Sequence, residues 1–152
     1  MSNILDMGTP MTFLEKSNWV VIVVAVPTLL IYVALVVPQA LSKPIAEVPW
    51  VQPMIFTIVG FIVANIAGNV VAAASNPGEA DRKDQRDTEI DHFGERVGNW
   101  LIIAGSIVAL VLAMAMADQF WIANAILLGG LAGALVSSVT KIAAYHGPFQ
   151  QW

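Results

Sequence analysis

Four stretches of this chain, 19–38, 50–74, 97–117 and 120–140, contain no acidic or basic residue. A helix rises about 1.5 Å per residue, so roughly 20 apolar residues cross the hydrocarbon core of a bilayer. Strands of a membrane barrel would alternate apolar and polar side chains with a period of two, and these stretches do not. Composition agrees: the chain is 57% hydrophobic and 12% charged, where a soluble domain carries about 25% charge. The sequence therefore predicts an all-α fold, a single domain over 1–152 forming an integral membrane four-helix bundle of two transmembrane hairpins.

The tryptophans mark the ends of these spans. Trp19, Trp50, Trp100 and Trp121 each fall near the N-terminal end of one stretch. Indole favours the headgroup zone, apolar on one side and hydrogen-bonding on the other, so all four are expected to be interface anchors. Asn-Trp opens both the first and the third span. The second and fourth do not align, since Asn65 lies 15 residues after Trp50 but Asn124 only three after Trp121. Shared interfacial chemistry explains the pair better than duplication does. Pro27 is expected to kink the first span, Pro38 to help end it, and "SNPG" at 75–78 to stop the second.

Orientation follows from the basic residues. Four spans put both termini and the middle loop on one side, with Lys16, Arg82, Lys83, Arg86, Arg96 and Lys141, the last snorkelling from its helix end. Only Lys43 lies opposite. The positive-inside rule then sets the N and C termini in the cytoplasm, with the protein a multi-pass component of the cell inner membrane. The N-terminal stretch lacks a basic region followed by a short apolar core, so it reads as a retained tail with a short turn near 11–14 rather than a signal peptide.

Polar and small residues within the spans are few. Asn65 and Asn69 share one face of the second, close to a stripe containing Gly60 and Gly68; Asn124 opens the fourth, followed by Gly129, Gly133 and Ser137 at intervals of four. Small residues at this spacing let helix backbones approach, and amides can bond across the contact. Packing is the simpler role; a polar lining for a solute path is the sharper one. No ionisable group lies in the middle of a span, which disfavours proton-coupled transport.

Between the second and third spans lies a charged island. From 79 to 96 it holds eleven of the chain's eighteen charged residues. A helix continuing from it into the third span would carry an apolar edge of Ile90, Phe93 and Val97, with Asp84, Asp87, Asp91 and Glu95 on another face. Those acids, with Arg86 and Arg96, are expected to form a solvated cytoplasmic face that can dock a protein. Rigid helical spacing holds neighbouring carboxylates too far apart for a tight cation site, even with His92 nearby, and no calcium-loop pattern is present.

Several function classes are disfavoured. A net charge of −4 argues against nucleic acid as a partner. The chain has no cysteine, no glycine-rich phosphate loop and no metal-binding histidine motif. No enzyme activity, cofactor or metal is expected.

The segment "DQRDTEIDHFGERVGNW", the tight "ADQFWIANAI" turn and the closing "KIAAY" resemble a group of small uncharacterised bacterial four-helix membrane proteins. These carry an Asp-Glu-Arg-Asp-like cytoplasmic segment before the last helix hairpin. Asp84, Arg86 and Asp87 match it, with Gln85 in place of glutamate, and the likeness runs from about Asp84 to Tyr145. It implies topology and bacterial origin, and no activity. The function expected is an accessory or regulatory membrane subunit, acting through helix packing and the charged segment on another membrane protein or a second copy. The alternative is an oligomeric transporter or channel for a small solute or ion.

Overall fold

The computed structural model describes residues 11–75, 77–78 and 85–147. The elements in order are α1 (Phe13–Ser42), a 3₁₀ turn (Ile45–Glu47), α2 (Val51–Ala74), α3 (Gln85–Met114) and α4 (Gln119–His146). Four helices are long and apolar enough to cross a membrane, the make-up of a multi-pass membrane protein.

Each helix outruns its apolar stretch or shifts against it for a local reason. α1 starts at Phe13, where the 11–14 turn was expected, because the Thr12 hydroxyl accepts from the Glu15 main-chain N–H at 3.3 Å. Thr-x-x-Glu is the spacing of a capping box. The helix also runs through Pro27 and Pro38 to Ser42; each proline removes one main-chain donor without ending the ladder. Pro53 sits in the first turn of α2, where a main-chain N–H has no intrahelical partner in any case. α3 is one helix from the charged island to Met114, and α4 continues to His146.

The α3–α4 connection is a Schellman motif. Ala117 N–H bonds Leu112 C=O at 2.9 Å and Met116 N–H bonds Ala113 C=O at 3.1 Å. Met116 takes the left-handed position (φ 54°) where glycine is usual. Asp118 then caps α4, accepting from Phe120 N–H at 2.9 Å.

The helices run antiparallel to their neighbours, and the principal contacts join them in the order α2, α1, α4, α3. One end of this row holds the starts of α1 and α3 and the ends of α2 and α4; it is the charged end. The far end holds an apolar cluster of Tyr32, Val36, Val48, Met54 and Phe120. Trp50 packs on it, its ring edge-on to Phe120 at 6.1 Å. Outward faces stay apolar: Phe56, Val71 and Leu110 are each more than 60% exposed. Helices satisfy their own main-chain groups, so such faces suit lipid.

Two kinds of contact hold the row. Between α3 and α4 the backbones meet. A Cβ on Gly105 would lie 2.8 Å from the Gly129 Cα, and one on Gly133 2.8 Å from the Gly98 carbonyl oxygen. Between α1 and α2, Gly68 admits the Val20 side chain, with 2.5 Å between a hypothetical Cβ and Val20 Cγ1. Toward the far end this pair parts around a groove of about 540 Å³, bordered by Thr28, Phe56, Thr57 and Gly60. Nothing approaches within 4 Å of a Cβ built on Gly60.

Candidate functional site

The charged end is where the chain concentrates its chemistry. Helical spacing puts Asp87, Asp91, Gly94 and Gly98 on one side of α3, and that side faces α4. The buried edge is Ile90, Gly94 and Gly98, with Ile90 fully enclosed. It shares only Ile90 with the apolar Ile90–Phe93–Val97 edge, on which Phe93 is 44% exposed. Close backbone approach favours the residues without a side chain, so the glycines outrank the aromatic ring.

Lys141 does not snorkel into water. Its stem crosses the notch at Gly94, where an added Cβ would meet Lys141 Cγ. Its Nζ lies 2.6 Å from Asp91 Oδ1 and 3.8 Å from Glu95 Oε1, and the residue is only 8% exposed. One turn further along α4, the Tyr145 hydroxyl donates to Asp87 Oδ1 at 3.1 Å. Burial first, and then the Asp87 charge, hold the Tyr145 phenol well above its usual range. A weaker hydrogen bond with Thr12 pulls the other way.

α1 joins the same end. His146 Nε2 lies 3.3 Å from the buried Glu15 carboxylate, and its Nδ1 lies 3.0 Å from the Ile142 carbonyl. Both ring nitrogens thus face oxygen acceptors. Buried Asn18 donates to Leu14 C=O at 2.7 Å. A cleft of about 280 Å³ opens between α1, α3 and α4, bordered by Asn18, Glu95, Ser138 and Lys141. Ala134, Ser137 and Glu95 also border a larger groove of about 680 Å³ over the α3–α4 contact.

The expected docking residues divide between two surroundings. Asp87 and Asp91 turn toward α4 and are partnered there, while Arg86, Glu95 and Arg96 are exposed. Asp84 lies outside the described residues, as do Arg82 and Lys83. His92 is exposed. Among the described residues, no three His, Asp or Glu side chains gather as a metal site requires.

The candidates within the apolar spans also separate. Asn69 Oδ1 accepts from the Ser17 hydroxyl of α1 at 2.5 Å, toward the charged end. Asn124 Oδ1 accepts from the Tyr32 hydroxyl at 2.8 Å, toward the far end. Asn65 spends its amide N–H on its own helix at Phe61 C=O, and its Oδ1 is buried without a partner among the described residues. Gly68, Gly129 and Gly133 are closely packed, Ser137 approaches Gly98, and Gly60 is not packed. Trp19, Trp100 and Trp121 are exposed on the helix surfaces, whereas Trp50 is partly buried.

Sequence reasoning missed Gly94, Gly98 and Gly105, the α3 side of the closest contact. The signal was present in "GERVG", two glycines four apart, but it lies among charges. Tyr32 and Ser17, the partners of Asn124 and Asn69, carried no signal that pattern alone could use. No protein family, curated protein or solved structure matches the chain.

Proposed function

We propose that this protein is a non-catalytic accessory or regulatory membrane subunit, with both termini in the cytoplasm of a bacterial cell. It acts on another membrane protein through its helix faces and through the exposed charges at the start of α3. The observation that carries this reading is the pairwise use of the intramembrane amides. Asn69 bonds Ser17 in one interface and Asn124 bonds Tyr32 in another, toward opposite ends of the row. Groups spent on separate helix contacts do not converge on one solute path. At the start of α3, Arg86, Glu89 and Arg96 are exposed. The resemblance to small bacterial four-helix membrane proteins is consistent with this topology.

Crosslinking in native membranes, followed by purification in mild detergent, tests the proposal. The expected result is recovery of a discrete membrane partner, with recovery reduced by Arg86→Ala combined with Glu89→Ala. Solute flux from liposomes holding the purified protein, with no partner recovered, would replace it with the transporter reading.

A further inference from the structure

A groove of about 680 Å³ lies over the α3–α4 contact, beside the Gly98–Gly133 packing and the Lys141 ion pair. Its rim carries Glu95, Arg96 and Asn99, with His92 above them. Its floor descends past Ser137 and Gly133 to Gly130. Arg96 directly precedes the uncharged part of α3, and Trp100 follows one turn later. The rim is therefore at headgroup depth and the floor at acyl-chain depth. From His92 to Ile102 the groove runs about 15 Å along α3.

Its charges are specific. Arg96 is exposed and has no ion-pair partner among the described residues. The Glu95 side chain is 61% exposed and only grazes Lys141, which binds Asp91 more closely. One free cation and one carboxylate thus share the rim of a groove with a small-residue floor.

We propose that this groove holds a bilayer phospholipid whose headgroup is a zwitterion with a primary ammonium. Its phosphate binds Arg96 and Asn99, its ammonium binds Glu95, and one acyl chain lies along Gly133 and Gly130. Guanidinium matches phosphate with paired N–H donors, and a primary ammonium brings three donors to a carboxylate. A purely anionic headgroup would meet Glu95 with like charge, and a quaternary ammonium has no N–H to give it. Polar pockets between membrane helices are recognised sites for lipid headgroups. The inference needs the helices in a bilayer and is independent of any protein partner.

The full chain, reconstituted in nanodiscs of equal phosphatidylethanolamine, phosphatidylcholine and phosphatidylglycerol, is examined by native mass spectrometry after detergent release. Phosphatidylethanolamine is expected to be retained about tenfold over the other two, the effect of one charge-assisted hydrogen bond. Glu95→Gln should abolish that preference, and Arg96→Ala should lower retention of all three lipids, because they share the phosphate. Gly130→Leu should expel the lipid by filling the floor, where nothing lies within 4 Å of an added Cβ. Gly60→Leu, in the other groove, should retain it. Equal retention of all three lipids, a preference for phosphatidylglycerol, or retention unchanged in both Arg96→Ala and Gly130→Leu would overturn the proposal. If Gly130→Leu does not fold, Glu95→Gln and Arg96→Ala decide.

Discussion

Along α3 and α4 the main chains themselves touch, Gly105 against Gly129 and Gly98 against Gly133, whereas α1 and α2 meet through side chains and part toward the far end. Both hairpins are built from apolar helices with small residues on one face. In lipid there is no hydrophobic drive to press helices together, so close packing and hydrogen bonds must do it. α3–α4 adds the Lys141–Asp91 pair across the seam, and α1–α2 adds the Ser17–Asn69 bond. The same residue types therefore yield one tight interface and one open one. A glycine stripe has force only where another backbone fills it.

The largest effect should come from filling the tight seam. Gly98→Val would drive a side chain into the Gly133 carbonyl and the Ser137 Cβ, the latter 2.7 Å from a hypothetical Cβ. The expected loss is about 3 kcal/mol, read by reversible unfolding in mixed micelles; Gly60→Val should change less than about 0.5 kcal/mol. If both variants cost the same, the contrast between the hairpins is broken.

Removing the ion pair comes next. Lys141→Met leaves Asp91 facing an apolar stem and should cost about 2 kcal/mol, below the cost for a fully buried pair because Asp91 is 24% exposed. Adding Asp91→Leu should recover most of it, in a double-mutant cycle by the same measurement.

The amides of α2 sharpen the comparison by opposing sign. Asn69→Leu strips Ser17 of its partner and should cost about 1 kcal/mol. Asn65→Leu removes a buried, unpartnered carbonyl oxygen and should gain about 1 kcal/mol. A loss in both cases would mean that Asn65 has a partner in the folded protein.

The smallest effect concerns pH. The Tyr145 phenol is raised in the folded protein, so the stability it contributes is complete below the ordinary tyrosine value of about 10 and is lost as pH rises through the folded value. In the Tyr32→Phe protein Tyr145 is the only tyrosine left. Its tyrosinate absorbance should begin above about pH 10. Asp87→Asn, which removes the charge and weakens the bond, should bring the onset down.

Much of the fold was legible because lipid imposes length and excludes charge. Four uncharged stretches forced four helices, and the α4 stripe of Gly129, Gly133 and Ser137 was visible by spacing alone. What stayed hidden were pairings. Gly60 and Gly68 look alike in sequence, yet Gly68 meets Val20 and Gly60 meets open space. Asn65 and Asn69 share a face, and only one crosses to another helix. Lys141 at a helix end suggests a cation reaching for water; the notch that covers it belongs to Gly94, 47 residues away. Periodicity fixes which face a residue occupies and leaves open what stands opposite.

α4 is the helix on which both α1 and α3 rest, and it is synthesised after them. Until it emerges, Tyr32 has no Asn124 to donate to, Glu15 no His146, and Asp91 no Lys141. Ser17 and Asn69 can pair as soon as α1 and α2 are made, whereas these three groups have their partners only once α4 follows. α4 thus carries all three of these unions, and a ribosome that stalled before residue 119 would leave a product without them.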